Sequence, residues 1–158
     1  MKILQILIVV ALPAVFTACK STSNTTARVL KGNKPFVISL ERTSCFGTCP
    51  VYKVSIHSDG KIEYSGKDFS NPKGEYETYI PLTDVEVLRK AIIEANFVNL
   101  ADTYDNMYIS DLPSVITTLT IEGKQVKSIK NRYNPPPQLV KLEVLIDKIW
   151  RKELEIKE

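Results

Sequence analysis

Apolar and polar residues alternate along most of the chain, and the alternation predicts strands. Phe36, Ile38 and Leu40 alternate with Val37, Ser39 and Glu41, as on a half-buried strand. Tyr52, Val54 and Ile56 do the same against Lys53, Ser55 and His57, and Ile62 and Tyr64 against Lys61 and Glu63. Between them lies Ser58-Asp59-Gly60. A two-residue turn here would set Ile56 opposite Glu63 and mix the faces. A three-residue loop with a left-handed Gly60 pairs Ile56 with Ile62 and Val54 with Tyr64, and is the expected register. After an Asn71–Gly74 turn, Glu75 to Ile80 reads as a fourth strand with Tyr76, Thr78 and Ile80 on one face.

The period then changes. Thr83-Asp84-Val85-Glu86 reads as a capping box opening a helix with a buried stripe of Val85, Leu88, Ile92 and Ala95. Residues 98–114 read as a long irregular connection. Val115, Thr117, Leu119 and Ile121 predict another strand, Glu122-Gly123 a tight turn, and Lys124 to Lys130 the returning strand. Pro137 suits the first turn of a last helix with Leu139, Leu142, Leu145, Ile146, Ile149 and Trp150 inward. The order ββββ-α-ββ-α implies an α+β fold: a single antiparallel sheet of about six strands with two helices packed on one face.

The first residues belong to a different regime. Ile3 to Phe16 is an apolar run of 14 residues behind Lys2, the length of a signal-peptide core and too short to span a bilayer comfortably. Val15-Phe16-Thr17-Ala18-Cys19 resembles a bacterial lipobox, with Phe16 in place of the more usual Leu. The expected organisation is a lipoprotein signal over 1–18, a lipidated Cys19 with a flexible tether over 19–33, and one domain over 34–158. Acyl chains contribute about 0.8 kcal/mol per buried methylene, so two or three make a lasting membrane anchor. Lys20 follows where enteric bacteria place Asp for inner-membrane retention. By that analogy the expected location is the outer membrane of a Gram-negative cell envelope.

Removing the signal leaves 140 residues with 20 basic and 18 acidic side chains, a net charge of +2. That balance argues against a nucleic-acid partner and against a strongly acidic one. With Cys19 acylated, two cysteines remain, Cys45 and Cys49, in an oxidising compartment, which favours a disulfide between them.

The lipobox, Leu40-Glu41-Arg42, the string Cys45-Phe46-Gly47-Thr48-Cys49-Pro50-Val51-Tyr52, the Asp59-Gly60 turn, Tyr104 and Asp111-Leu112-Pro113 together resemble a bacterial family of unknown function. Its members are small envelope proteins, often lipoproteins, built around a Cys-Phe-Gly-x-Cys-Pro motif. The resemblance covers roughly residues 36–150. It supports the domain boundary and implies no activity.

Three chemistries compete for the cysteine loop. Cys-x-x-x-Cys-Pro with a histidine matches the ligand set of Sco-type copper-delivery proteins. Here, however, Pro50 leads into a strand, and His57, the single histidine, lies eight residues past Cys49. At about 3.3 Å per residue it would sit roughly 26 Å away. A redox role asks for an exposed low-pKa thiol in Cys-x-x-Cys at a helix start, one residue shorter than the spacing found. A staple fits best, closing a five-residue loop through Gly47. Phe46 would then either stand out with Thr48 as a presented surface or turn inward against the sheet edge.

Other constellations are weaker. Asp102, Asp105 and Asp111 lack the Gly and closing Glu of a calcium loop, and Asp102 and Asp111 are expected to cap turns. Lys124, Lys127, Lys130 and Arg132 read as a solvated basic edge without acidic partners. Ser44 and Ser114 lack a nucleophile-elbow context, and His57 cannot complete a triad. No catalytic residue, cofactor or metal ligand is assigned. The sequence therefore reads as a non-enzymatic, membrane-tethered interaction module for an unknown envelope protein or ligand. Its candidate surface comprises Phe46, Thr48, Tyr104 and Asp111. The alternative is a thiol-redox or metal-handling protein using Cys45 and Cys49.

Overall fold

The structure, a computed structural model, describes residues 24–155. The signal segment and Cys19 lie outside the described residues. The strands are β1 (Phe36–Arg42), β2 (Tyr52–His57), β3 (Lys61–Gly66), β4 (Gly74–Tyr79), β5 (Thr103–Tyr104), β6 (Val115–Ile121) and β7 (Lys124–Asn131). The helices are α1 (Thr25–Val29), α2 (Leu82–Glu94) and α3 (Pro137–Glu155), with a single 3-10 turn at Phe97–Asn99. All seven strands form one mixed sheet in the order β4-β3-β2-β1-β6-β7-β5.

The predicted faces hold. Phe36, Ile38, Leu40, Val54, Ile56, Ile62, Tyr64, Leu119 and Ile121 are buried on the helix side of the sheet. Val85, Leu88, Ile92 and Ala95 cover them from α2, and Leu139, Leu142, Ile146, Ile149 and Trp150 from α3, with Leu145 partly buried. Ile56 pairs with Ile62 and Val54 with Tyr64, the register of the three-residue loop. Gly60 has φ +93°, and a Cβ there would come within 2.6 Å of the Ile80 carbonyl oxygen. The backbone of Gly60 instead accepts a hydrogen bond from the Ile80 N–H at 2.9 Å. Glu122 and Gly123 both have positive φ, 51° and 75°, as a type I′ hairpin turn requires.

Five expectations are corrected. The Thr83 capping box does not form: α2 starts two residues earlier, with Pro81 as an N-cap that has no side-chain cap bond, and the Pro81 carbonyl takes the N–H groups of Asp84 and Val85. Glu86 instead pairs with Arg89, 3.2 Å away. The 98–114 connection is not wholly irregular. It carries the end of the 3-10 turn and β5, which pairs with β7 in parallel. This parallel pair makes the sheet mixed. The basic strand is not free of acids either, because Lys127 pairs with Asp102 and Arg132 with Asp105. Asp102 is therefore an ion-pair partner for β7, while Asp111 sits at φ 67° and accepts a hydrogen bond from the Ser110 hydroxyl.

Finally, residues 24–30 of the expected tether are docked. Asn24 caps α1 and donates its side-chain amide to the Ile93 carbonyl at 2.8 Å, and buried Thr26 accepts the Val98 N–H at 3.0 Å. Arg89 lies over the Phe36 ring and reaches the Leu30 carbonyl. These contacts seat α1 beside the end of the sheet where β1 begins.

At the sheet's outer edges, β4 pairs only with β3 and is mostly exposed, while β7 is partly covered by β5. No helix among the described residues is long and apolar enough to cross a membrane.

Candidate functional site: a loop rim at one end of the sheet

The end of the sheet where β1 finishes is built from four connections. The cysteine loop leaves β1 after Arg42. Thr43 donates its N–H to the Ser114 carbonyl at 3.0 Å and accepts the Ser114 N–H on its hydroxyl at 2.8 Å. This exchange ties the cysteine loop to the loop that precedes β6. On the other side, Val51 donates to the Asp68 carbonyl at 2.9 Å and accepts from the Lys67 N–H at 2.8 Å. The β3–β4 connection is thereby fastened to it as well. Residues 132–136, between β7 and α3, complete the rim.

Within the cysteine loop, Cys45 and Cys49 are joined as a disulfide, with Cα atoms 5.7 Å apart. The Gly47 N–H points back to the Cys45 sulfur at 3.3 Å. Phe46 is 93 % exposed and Thr48 is exposed, so the loop presents its side chains outward and Phe46 does not plug the sheet. His57 lies at the opposite end of β2, opposite Val37 of β1, with its Nε2 3.2 Å from Glu63. Among the described residues, no group of three or more His, Cys, Asp and Glu is placed to hold a metal ion.

A five-residue disulfide loop is worth roughly 2 kcal/mol by chain entropy. The Cys45→Ser/Cys49→Ser double variant should lose about that much in denaturant unfolding and keep its fold. A loss above about 4 kcal/mol would show that the bond holds more than the loop.

The second loop is set by Arg132. Its Nε donates to Asp105 Oδ1 at 2.6 Å, and its Nη2 reaches the carbonyls of Asn106 and Ile109 at 3.3 and 2.9 Å. One guanidinium thus spends three donors on a single loop. The Asp105 carboxyl is held below the usual carboxylate range: partial burial opposes this, and the Asn106 N–H and Arg132 outweigh it. Tyr104 is half-buried and accepts the Ala101 N–H on its hydroxyl, so it forms a floor, not a tip. Met107 and Tyr108 stand out at 85 % and 90 % exposure. Tyr104, Met107, Tyr108, Tyr133 and Asn134 line an open groove of about 510 Å³. Asp111 lies on the same loop but is not part of the groove lining.

The four candidate residues therefore occupy one end of the molecule on two neighbouring loops, but no hydrogen bond among the described residues joins Phe46 or Thr48 to Tyr104 or Asp111. Sequence reasoning missed Met107, Tyr108 and Tyr133. The available signal was an adjacent Met-Tyr pair in a loop, which no strand or helix period explains.

Beneath the rim, α3 turns two carboxylates toward the sheet one helical turn apart. Asp147 pairs with Arg42, accepts the Tyr52 hydroxyl at 2.6 Å and accepts the Trp150 indole N–H at 3.0 Å. Arg42 in turn donates Nε to the Tyr52 oxygen at 2.7 Å. Burial first, and then Asp147, push the Tyr52 hydroxyl up to about 12, so it stays protonated and can donate. Glu143 accepts from the Asn131 amide at 2.7 Å and from the Thr117 hydroxyl at 3.3 Å. Burial raises its carboxyl to about 7, and the two hydrogen bonds act in the opposite direction. Glu143 is 4 % exposed, so this acid is sealed under the sheet and is not presented to a ligand.

Compared with known proteins, the chain matches over residues 36–150 the family model described as Domain of unknown function (DUF6438). The match runs from the first residue of β1 to Trp150 in α3, and the chain belongs to this family. No curated protein matches it.

Proposed function

We propose that this member of the DUF6438 family is a non-enzymatic interaction module of the bacterial cell envelope. On this reading a lipid on Cys19 holds it at the outer membrane, and the loop rim is the surface it offers. One observation carries the proposal: Phe46, Phe69, Met107, Tyr108 and Tyr133, all exposed, sit on the loops of one end of the sheet. Exposed apolar side chains scattered singly need no explanation, but a concentration of them at one end marks an interaction site. The loops that carry them are braced by the disulfide and by Arg132, so little ordering entropy remains to be lost on binding. The apolar run ahead of Ala18-Cys19 supports the anchor.

The two halves of the proposal separate experimentally. Cys19→Ala should move the protein from the membrane to the soluble fraction of the envelope and abolish lipid labelling. A variant that still fractionates with membrane rules out the anchor. Phe46→Ser/Tyr108→Ser should leave the melting temperature within a few degrees of wild type, because neither side chain is buried, while removing the adducts formed by crosslinking in the native envelope. Unchanged adducts would rule out the rim.

A further inference from the structure

The rim and α1, the first described element after the proposed anchor, lie toward opposite ends of the sheet, and this separation restricts what the rim can meet. Asn24 is fixed to the end of α2 through Ile93, and Arg89 binds Leu30 and Phe36 together, where β1 begins. The rim begins where β1 ends, seven residues later. At about 3.3 Å per residue, the two ends are separated by at least about 20 Å. Only four residues lie between Cys19 and Asn24, and the five steps from one to the other reach about 17 Å at full extension. Standing the domain upright on its rim would set the start of β1, beside which α1 is seated, farther from the bilayer than that segment can reach.

Charge argues the same way. Surfaces that seek anionic lipid carry clusters of four to eight lysines or arginines. On the rim loops, Lys67, Lys73 and Arg132 are balanced by Asp68, Asp105 and Asp111, and Arg132 is paired directly with Asp105. The aromatic and Met side chains exposed among these charges, Phe46, Phe69, Met107, Tyr108 and Tyr133, are of the types enriched at protein–protein interfaces.

We infer that the rim is a docking surface for a water-borne polypeptide, held facing away from the bilayer that carries the anchor. This rests on the lipid at Cys19 proposed above. The partner's contact is apolar and weakly charged, matching rim loops whose ionised groups sum to no net charge.

The test uses the full, lipidated protein in vesicles of phosphatidylethanolamine and phosphatidylglycerol. A fluorescent amino acid is placed in turn at exposed positions 31, 46 and 108. A lipid-borne quencher should act at position 31 at least several-fold more strongly than at 46 or 108, and dissolved iodide should reach both rim positions. Lipid quenching at 46 or 108 equal to that at 31 would overturn the inference. The mass of the protein is read from the same preparation. A Cys19 without lipid defeats the anchor and this orientation together, whereas a lipidated protein with its rim in the bilayer defeats the orientation alone. A photocrosslinking residue at position 108 in intact cells then reports the chemistry of the occupant. A protease-sensitive adduct, reduced at least tenfold by Phe46→Ser/Met107→Ser, is the expected result. An adduct carrying lipid or a glycan strand, or one indifferent to those substitutions, would overturn the polypeptide assignment.

Discussion

Replacing Trp150 by Ala should cost about 3–5 kcal/mol of unfolding free energy, the range for removing a large aromatic from a close-packed core. Trp150 is 1 % exposed and is the point at which α3 grips the sheet. Its ring stacks on Tyr64 at 4.6 Å and tilts against Tyr52 at 5.1 Å, and its indole N–H donates to Asp147 at 3.0 Å. The truncation leaves a cavity between the helix and β2–β3 and takes one donor from a carboxylate that Arg42 and Tyr52 also hold. Trp150→Phe keeps much of the aromatic contact while losing the N–H and three ring atoms, so it should lose distinctly less, about 1–3 kcal/mol. Denaturant unfolding of both variants checks the claim. A loss below about 1 kcal/mol for the Ala variant would mean that α3 does not dock as described.

The second large effect is one of pH. The Glu143 carboxyl is raised from 4.5 to about 7 in the folded chain by burial, so the folded state holds a proton that the unfolded state releases earlier. The stabilisation from this group is therefore complete below about pH 4.5, declines as the pH rises, and is lost above about 7. At 1.36 kcal/mol for each tenfold change in acidity, its ceiling is about 3 kcal/mol. Arg42, on β1, favours the ionised form, and Asp147, one turn along α3, disfavours it. Thr117 of β6 and Asn131 of β7 are its uncharged neighbours. Glu143→Gln keeps the shape and carries no titrating proton. The difference in stability between wild type and this variant should shift in the variant's favour by up to about 3 kcal/mol from pH 5 to pH 8. A difference that stays constant across that window would refute the assignment.

Much of this architecture was legible in the residue pattern. Alternation fixes the faces of β1, β2, β3 and β6, and the impossibility of pairing Ile56 with Glu63 selects the β2–β3 loop. What escaped were features set by distant partners. Thr83 reads locally as a cap, but Pro81 already offers an extended residue whose carbonyl starts the helix. Lys127 and Arg132 read as solvated because Asp102 and Asp105 reach them only once β5 lies alongside β7. Glu143 and Asp147 were passed over for a different reason. Both fall at helical spacing from Leu139 and Trp150, inside the buried stripe, but a carboxylate within an apolar stripe is read as surface until its partners on the sheet are known. The exposed tips are the hardest class, because nothing in a loop's own sequence says whether Met107 and Tyr108 fold in or stand out.

The unequal edges of the sheet bear on how densely the protein can be packed. Two copies meeting antiparallel along β4, centred on Tyr76, would set Glu75 of each opposite Glu77 of the other. Like charges directly opposed across a strand pair are unfavourable. At the other margin, β5 already occupies part of β7, and Lys127 and Arg132 are committed to its flanking acids. The outer backbone of β4 is unpaired but flanked by like charges, and that of β7 is partly filled, so neither margin favours the edge-to-edge pairing on which fibrils grow. On the proposed anchor at Cys19, confinement to two dimensions would raise the frequency of lateral encounters between neighbours, and these margins would let such encounters end without polymerisation.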